Sequence, residues 1–164
     1  MGLTEIIEAK SAEDYAAGRA LIEEYAAALG VDLCFQNFSE EIANLPKLYG
    51  PPRGCLLLAR SDGALVGCVA VREQDAKVCE MKRLYVKSQH RAAGLGRRLA
   101  ESAILHAQQL GYVRMVLDTL PSMSEAQVLY ASLGFREIEA YYRNPLSGVR
   151  YLACALTGYE EKPA

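Results

Sequence analysis

The chain has 164 residues, a usual length for one domain; 51% are hydrophobic and 23% are charged. That balance describes a folded protein with one substantial core and excludes a disordered chain. A formal net charge of −2 argues against a general nucleic-acid binder, which normally carries a basic excess. No apolar run approaches the roughly 18 residues that span a bilayer, and no secretion signal is recognisable at the N-terminus, so we expect a cytoplasmic protein without membrane contact.

The cysteines lack the spacing of a metal site or a redox pair. They are Cys34, Cys55, Cys68, Cys79 and Cys154. No two form a Cys-x-x-Cys pair, and the two histidines, at positions 90 and 106, are isolated from them in the sequence. We therefore expect buried, reduced thiols and no bound metal.

The first half of the chain predicts a strand, two helices and a β-hairpin. The predicted elements cover residues 3–9, 11–29, 39–49, 55–60 and 64–72. Ser11, followed by two acidic residues, has the form of a helix N-cap, and Gly30 ends that helix. Ser39 is the expected cap of the second helix. The Asp-Gly pair at 62–63 is typical of a hairpin turn.

The second half of the chain alternates strands and helices. Strands are predicted over residues 78–86, 113–118, 135–142 and 149–156, and helices over residues 94–110 and 122–133. Because residues 78–118 form a strand–helix–strand unit, we expect two parallel central strands joined by a right-handed crossover. No repeat or linker interrupts the chain, so residues 1–164 are predicted to form one mixed α/β domain.

The turn before the longer of these helices predicts an anion site. It reads Arg91-Ala92-Ala93-Gly94-Leu95-Gly96-Arg97-Arg98. Its two glycines allow a tight turn and the close approach of a ligand. The helix that follows presents unpaired amide groups and the positive end of its dipole. Its three arginines add positive charge. Position 99 is Leu, so a Rossmann fingerprint is incomplete, and a P-loop is absent; a glycine-rich helix entry with solvated arginines is the alternative.

Two segments make the sequence resemble the GNAT superfamily of acetyl-CoA-dependent N-acetyltransferases. Arg91-x-x-Gly94-x-Gly96 matches the family's Gln/Arg-x-x-Gly-x-Gly/Ala loop, between the strand ending Leu84-Tyr85-Val86 and an amphipathic helix. Leu129-Tyr130-x-x-Leu133-Gly134-Phe135 matches the family's Leu-Tyr-x-x-x-Gly-Phe. The resemblance implies the GNAT fold: a mixed, mostly antiparallel sheet of about seven strands, with strands 4 and 5 parallel and splayed, flanked by about four helices.

The resemblance also implies how acetyl-CoA, the cosubstrate, would be held. Backbone groups of Leu84, Tyr85 and Val86 would pair with the pantetheine arm like an added strand, and an amide near Leu84 would polarise the thioester oxygen. Backbone amides of residues 92–97 would hold the pyrophosphate, beside the charges of the flanking Arg91 and Arg98.

Tyr130 matches the family tyrosine that protonates the leaving thiolate of CoA, and a phenol of pKa ~10 suits that task. A core tyrosine is the alternative. Many members place an asparagine seven residues before this tyrosine, in contact with the cofactor. This chain has Met123 there, so the contact is absent or is replaced by Ser122 or Ser124.

Two carboxylates are candidates for the base that takes the proton of the attacking amine. Glu80 leads towards Leu84, and Glu80 and Lys82 are unusual charges for a central strand. Glu80, Lys82 and Leu84 share one face if the strand is regular, whereas a bulge, frequent here in the family, would change that parity. Asp118 ends the neighbouring strand. We rank Glu80 first by a small margin; an ion pair for Glu80 and a turn role for Asp118 are the alternatives.

The acceptor site is expected after the penultimate strand. Tyr141, Tyr142 and Arg143 would shape a pocket for a small substrate, with an anionic group as one option; a strand end followed by a turn is the alternative. The opposite wall is expected from Tyr25, Phe35, Gln36 and Phe38.

These features predict an N-acetyltransferase that moves an acetyl group from acetyl-CoA to a primary amine of a small molecule or peptide by direct attack. A non-catalytic acyl-CoA-binding sensor is the alternative, and an anion- or nucleotide-binding protein without CoA is a third option. We expect no nucleic-acid partner. A homodimer is an option by analogy, because late strands of the superfamily often lie at an interface.

Overall fold

The computed structural model describes residues 3–33 and 37–158. In chain order it contains β1 (Thr4–Glu8), α1 (Ala12–Leu29), α2 (Phe38–Ala43), α3 (Leu45–Leu48), β2 (Cys55–Ser61), β3 (Ala64–Glu73), β4 (Val78–Val86), α4 (Leu95–Gln109), β5 (Arg114–Thr119), α5 (Ser124–Ser132), β6 (Arg136–Ile138) and β7 (Arg150–Ala155). A 3₁₀ turn, Ser88–Ala93, joins β4 to α4. The mixed α/β fold is as predicted.

The seven described strands form one sheet in the order β1-β2-β3-β4-β5-β7-β6. Neighbouring strands are antiparallel except for β4 and β5, which are parallel near the centre. The parallel pairing ends where Glu80 meets Val116, although β4 continues to Val86 and β5 to Thr119. The two strands therefore separate towards their carboxyl ends, which confirms the predicted splay.

Each face of the sheet carries its own hydrophobic cluster. Leu57 packs on the α4 face, whereas Leu56 and Leu58 pack on the α1 face, as the alternation of side chains along a strand requires. All three are fully buried, and each contributes about 1.5–3 kcal/mol to stability. The helix α1 lies so close to β2 that a Cβ at Gly18 would stand 2.5 Å from Leu56 Cδ2.

The ends of α1 are those predicted. Ser11 Oγ accepts from the Asp14 amide at 3.1 Å, and Asp14 Oδ2 accepts from the Ser11 amide at 3.2 Å, which forms a capping box. Gly30 closes the helix with φ 67°, in the left-handed region that favours glycine.

The single second helix predicted from Ser39 is wrong, because the segment forms two short helices, α2 and α3. The first begins after Asn37, so Ser39 lies inside it rather than at its cap. The break falls at Asn44, and Pro46 follows in the first turn of α3. Proline lacks an amide hydrogen and is tolerated at a helix start but not in its interior, which explains the break.

The predicted strand over 135–142 is also too long, because β6 ends at Ile138. The residues that follow turn away from the sheet ladder, and the hydroxyls of Tyr141 and Tyr142 donate to carboxylates on β4 and β5. The Asn144 side chain accepts from the Leu146 amide at 2.9 Å and stabilises the turn.

The four described cysteines are buried, as expected: Cys55, Cys68, Cys79 and Cys154. Cys34 lies outside the described residues. Burial raises the pKa of the Cys55, Cys68 and Cys79 thiols to about 12.

Across residues 3–33 and 37–158, no group of three or more metal-ligating side chains is assembled. None of the described helices combines the length and apolar character needed to cross a membrane.

Candidate active site

The separation of β4 from β5 opens a large cleft, of about 720 Å³, on the carboxyl side of the parallel pair. Its walls come from α1, the end of β4, the turn before α4 and the start of α5. The lining residues are Tyr25, Ala28, Leu29, Leu84, Tyr85, Val86, Arg91, Gly94, Gly96, Arg97, Ser122, Met123, Ser124, Glu125, Ala126 and Leu129. Most of the residues predicted to hold a cofactor therefore border one cavity.

The turn into α4 gives this cleft the features of an anion site. Gly94 has φ 73° and supplies no side-chain cap, so the first amides of α4 lack an intrahelical partner. A Cβ at Gly94 would meet no atom within 4 Å, and one at Gly96 would come only within 3.9 Å of Leu129 and Val86. The space above both glycines is therefore open to a ligand.

The arginines of this turn have different surroundings. Arg91 donates to the Val86 carbonyl at 2.8 Å, and its guanidinium lies 5.7 Å above the Tyr85 ring. Arg97 pairs with Glu101 at 3.0 Å at the edge of the cleft. Arg98 instead donates to the Thr4 carbonyl at 3.2 Å and does not line the cleft.

The other predicted residues of this turn do not present side chains to the cleft. Leu95 is buried in the α4-face cluster. Ala92 and Ala93 lie exposed in the 3₁₀ turn, where only their backbone groups are available to an anion.

A bulge in β4 decides which side chains face which cavity. Tyr85 pairs with Cys68 and Lys82 with Ala70, so Arg83 and Leu84 together oppose Val69. Arg83 has φ 61°. The regular-strand alternative is therefore wrong, because the extra residue reverses the alternation. Lys82 faces the α1 side of the sheet, whereas Leu84 packs on the α4 side.

A buried ion pair holds this bulge. Arg83 contacts Glu41 of α2 through two hydrogen bonds, Nε to Oε2 at 2.8 Å and Nη2 to Oε1 at 2.6 Å. Both side chains are buried. Burial alone would raise the pKa of Glu41, but the hydrogen bonds and charge of Arg83 lower it overall. The Arg83 guanidinium also lies 5.4 Å from the Phe38 ring, while the predicted wall residues Phe35 and Gln36 lie outside the described residues.

A smaller cavity of about 40 Å³ lies between the splayed strands, at the inner end of the cleft. Tyr130 and Asp118 both line it, with Tyr25, Leu84 and Met123, and the last three also line the large cleft. Met123, which replaces the family asparagine, thus lies where the two cavities meet.

Tyr130 is buried and packs on Phe135 with ring centroids 5.7 Å apart. Its hydroxyl has no hydrogen-bond partner among the residues that the structure describes. Burial, and after it the neighbouring Tyr25 and Asp118, raise the pKa of Tyr130 above its usual value. The phenol is therefore fully protonated at neutral pH.

The two candidate bases differ in how their oxygens are engaged. Glu80 is fully buried; its Oε1 accepts from Arg72 at 2.8 Å and its Oε2 from the Tyr141 hydroxyl at 2.6 Å. Asp118 accepts at one oxygen, Oδ2, from the Tyr142 hydroxyl and from Asn144 at 3.3 Å. Within the described part of the chain, Asp118 Oδ1 has no hydrogen-bond donor.

A third cavity, of about 300 Å³, lies on the α1 side of β4. It is lined by Asn37, Glu40, Glu41, Leu48, Arg72, Gln74, Glu80, Lys82, Tyr141 and Tyr142. Lys82 also lines the inner cavity beside Asp118 and Tyr130, so the two cavities adjoin at its side chain. Arg143, predicted with the two tyrosines, is exposed and does not line this cavity.

The sequence did not identify Arg72, Glu41 or Arg83 as residues of the site. The available signal was the run of charges inside a central strand, Glu80, Lys82 and Arg83, of which only the first was assigned a role. The partners of this run come from distant segments, which the pattern of one strand does not show.

Comparison with known proteins agrees with this geometry. The acetyltransferase (GNAT) family profile matches residues 19–135. An uncharacterised N-acetyltransferase of Schizosaccharomyces pombe is 45% identical over 136 residues, 82% of this chain and 83% of that protein. The N-acetylaspartate synthetase of Rattus norvegicus is 39% identical over 116 residues, 66% of this chain but only 37% of that protein.

Solved structures share the fold. A GNAT-family acetyltransferase of Staphylococcus aureus superposes with a TM-score of 0.78 at 20% identity, covering 94% of this chain and 99% of that one. A Salmonella typhimurium protein solved with its cofactor acetyl-CoA superposes with a TM-score of 0.67 at 20% identity. The match covers 99% of this chain and 97% of that one. The chain therefore belongs to the GNAT family of acetyltransferases and is an acyltransferase.

Proposed function

We propose that this chain transfers an acetyl group from acetyl-CoA to a primary amine of a small molecule or peptide by direct attack. The observation that carries the proposal is the succession of three cavities along β4. The anion-binding cleft shares Tyr25, Leu84 and Met123 with the inner cavity of Tyr130 and Asp118, and this cavity shares Lys82 with a separate pocket. A donor in the cleft and an acceptor in the separate pocket can therefore meet at the inner cavity between them.

The large cleft has the chemistry that acetyl-CoA requires. The amides at the start of α4, with Arg91 and Arg97, suit the pyrophosphate, and the open space at Gly94 admits it. Beyond Glu80 the edge of β4 that faces β5 has no strand partner in the described part of the chain, so its backbone groups can pair with the pantetheine amides. When bound, acetyl-CoA supplies an activated acetyl thioester.

The hydrogen bonds already present support an assignment of the two proton-transfer roles. Asp118 lines the inner cavity, has one oxygen without a donor among the described residues, and takes the proton of the attacking amine. Glu80 already uses both oxygens, so it serves as a structural ion pair that orients Arg72 and Tyr141. This proposal reverses the order in which the sequence ranked the two carboxylates.

Tyr130 is the proton donor to the leaving thiolate. Its hydroxyl is protonated and has no competing partner among the described residues. The low-dielectric surroundings that raise its pKa also raise the proton affinity of any thiolate formed beside it, so the transfer is not opposed by burial.

The proposal is tested first by calorimetric titration with acetyl-CoA. We expect saturable binding well below millimolar concentration. S-acetylpantetheine, which lacks the pyrophosphate and the nucleotide, should bind at least about tenfold more weakly, because it cannot reach the start of α4. Failure of acetyl-CoA to bind at millimolar concentration would contradict the proposal.

A further inference from the structure

Lys82 is a buried charged side chain that has no hydrogen-bond or ion-pair partner among the residues the structure describes. It is 7% exposed, at the junction of the inner cavity and the α1-side pocket. In the described part of the chain, its amine donates no hydrogen bond and forms no ion pair within 4.0 Å. Burying an ammonium group without a partner is costly, and such groups are normally paired.

The other buried charges around Lys82 neutralise one another. Arg72 pairs with Glu80 at 2.8 Å, and Arg83 pairs with Glu41 at 2.6 Å. These pairs leave Lys82 and Asp118, which line the same inner cavity without touching each other. The cavity therefore holds an ammonium group and a partly free carboxylate a short distance apart.

This arrangement is complementary to a zwitterion. We propose that Lys82 binds a carboxylate of the acceptor while Asp118 faces its amine, so that the acceptor is an α-amino acid. In such a molecule, one carbon separates the amine from the carboxylate, which fits two opposite charges across a small cavity. The 300 Å³ pocket beyond Lys82 then receives the amino-acid side chain.

The proposal rests on the acetyltransferase function and adds the substrate class to it. Asp118 rather than Lys82 is assigned as the base, because Asp118 has an oxygen without a donor among the described residues. The pKa of Lys82 is lowered by its burial and by the charges of Arg83 and Arg72, which outweigh the opposing charges of Glu80 and Asp118. Burial lowers the pKa of Lys82, and a bound carboxylate would compensate for that loss of hydration.

The test compares each L-amino acid with its primary amide, which keeps the amine and side chain but lacks the negative charge. Steady-state rates at saturating acetyl-CoA should give wild-type protein a kcat/KM for the best amino acid about 10- to 100-fold above that for its amide. In Lys82→Met this ratio should fall towards one, mainly through a higher KM for the acid. Lys82→Arg should retain part of the preference, because it keeps the charge.

Lys77→Met is the matched control, since Lys77 is exposed just before β4 and lines none of the three cavities. It should keep the wild-type ratio. Thermal unfolding checks the fold of each variant, and we expect Lys82→Met to fold, because methionine has a similar length and no charge to bury.

Two results would overturn the inference. Wild-type protein could acetylate amides as well as acids, or Lys82→Met could lower kcat equally for both, as loss of a base or of structure would do. Either result leaves the acetyltransferase function intact. If no amine of any kind stimulated CoA release, the proposed function itself would fail, and the inference with it.

Discussion

Glu80 and Asp118 show how neighbouring side chains decide what a carboxylate can do. Glu80 lies on β4 and Asp118 on β5, and each accepts a hydrogen bond from a tyrosine of the loop between β6 and β7. The difference is Arg72, which occupies the second oxygen of Glu80, whereas the second oxygen of Asp118, a residue that lines the inner cavity, has no donor among the described residues.

This difference gives a prediction for two matched carboxylate-to-amide variants. Asp118→Asn should lower kcat by about 10²- to 10⁴-fold, because it removes the base. Glu80→Gln should reduce kcat much less, and should lower the free energy of unfolding by about 1–3 kcal/mol, because Arg72 loses its buried partner. Rates across pH and thermal unfolding of both variants are the measurements. A larger loss of kcat in Glu80→Gln would exchange the two roles.

At the scale of residues, the sequence indicated which side chains belong to the site but not which hydrogen-bond partners they have. Tyr130 was identified as a candidate by its motif, and Asp118 was identified by its place at the end of a strand. The partner that occupies Glu80 Oε2 is Tyr141, which is 61 residues away in the chain. Such a contact depends on how the β6–β7 loop folds back over the sheet, and no local pattern encodes it.

At the scale of elements, the bulge in β4 and the turn into α4 shape the cleft. A non-glycine residue in the left-handed region costs about 1–2 kcal/mol, and Arg83 is held there by its bidentate pair with Glu41. The sequence indicated a bulge only through its family resemblance. It could not show that α2 anchors the bulge, because its prediction placed a single helix across that segment.

The turn into α4 yields a prediction with an internal control. Gly94 and Gly111 flank α4, both have positive φ, and a Cβ at either would meet no atom within 4 Å. Valine at either position should therefore destabilise the fold by a similar amount, about 1–2 kcal/mol. Only Gly94→Val should also weaken acetyl-CoA binding, because Gly111 lies beyond the other end of α4, a helix of 15 residues that is about 22 Å long.

Calorimetric titration of both variants with acetyl-CoA decides this point. We expect at least a tenfold loss of affinity in Gly94→Val, which corresponds to about 1.4 kcal/mol, and a wild-type affinity in Gly111→Val. Equal affinities in the two variants would remove the start of α4 from the cofactor site.

For the whole molecule, the chain order of the elements and the parallel pairing of β4 with β5 followed from the sequence pattern, whereas the splay of these two strands followed from the family resemblance. Alternating hydrophobic runs and the strand–helix–strand unit at residues 78–118 are local patterns. The structure forms the elements that these patterns predict, with small changes in their bounds. The acceptor pocket did not follow in the same way. Its walls come from α2, β3, β4 and the β6–β7 loop, so its shape depends on packing between distant segments.

The central claim is that the cavities along β4 bring acetyl-CoA and an amine together at Tyr130. The most direct measurement is the initial rate of CoA thiol release with a panel of amino acids and other amines, with mass spectrometry of the product. Wild-type protein should release CoA only when an amine is present, and Tyr130→Phe should lower kcat by about 10²-fold or more at unchanged acetyl-CoA affinity. Binding of acetyl-CoA without amine-dependent release across the panel would contradict the account.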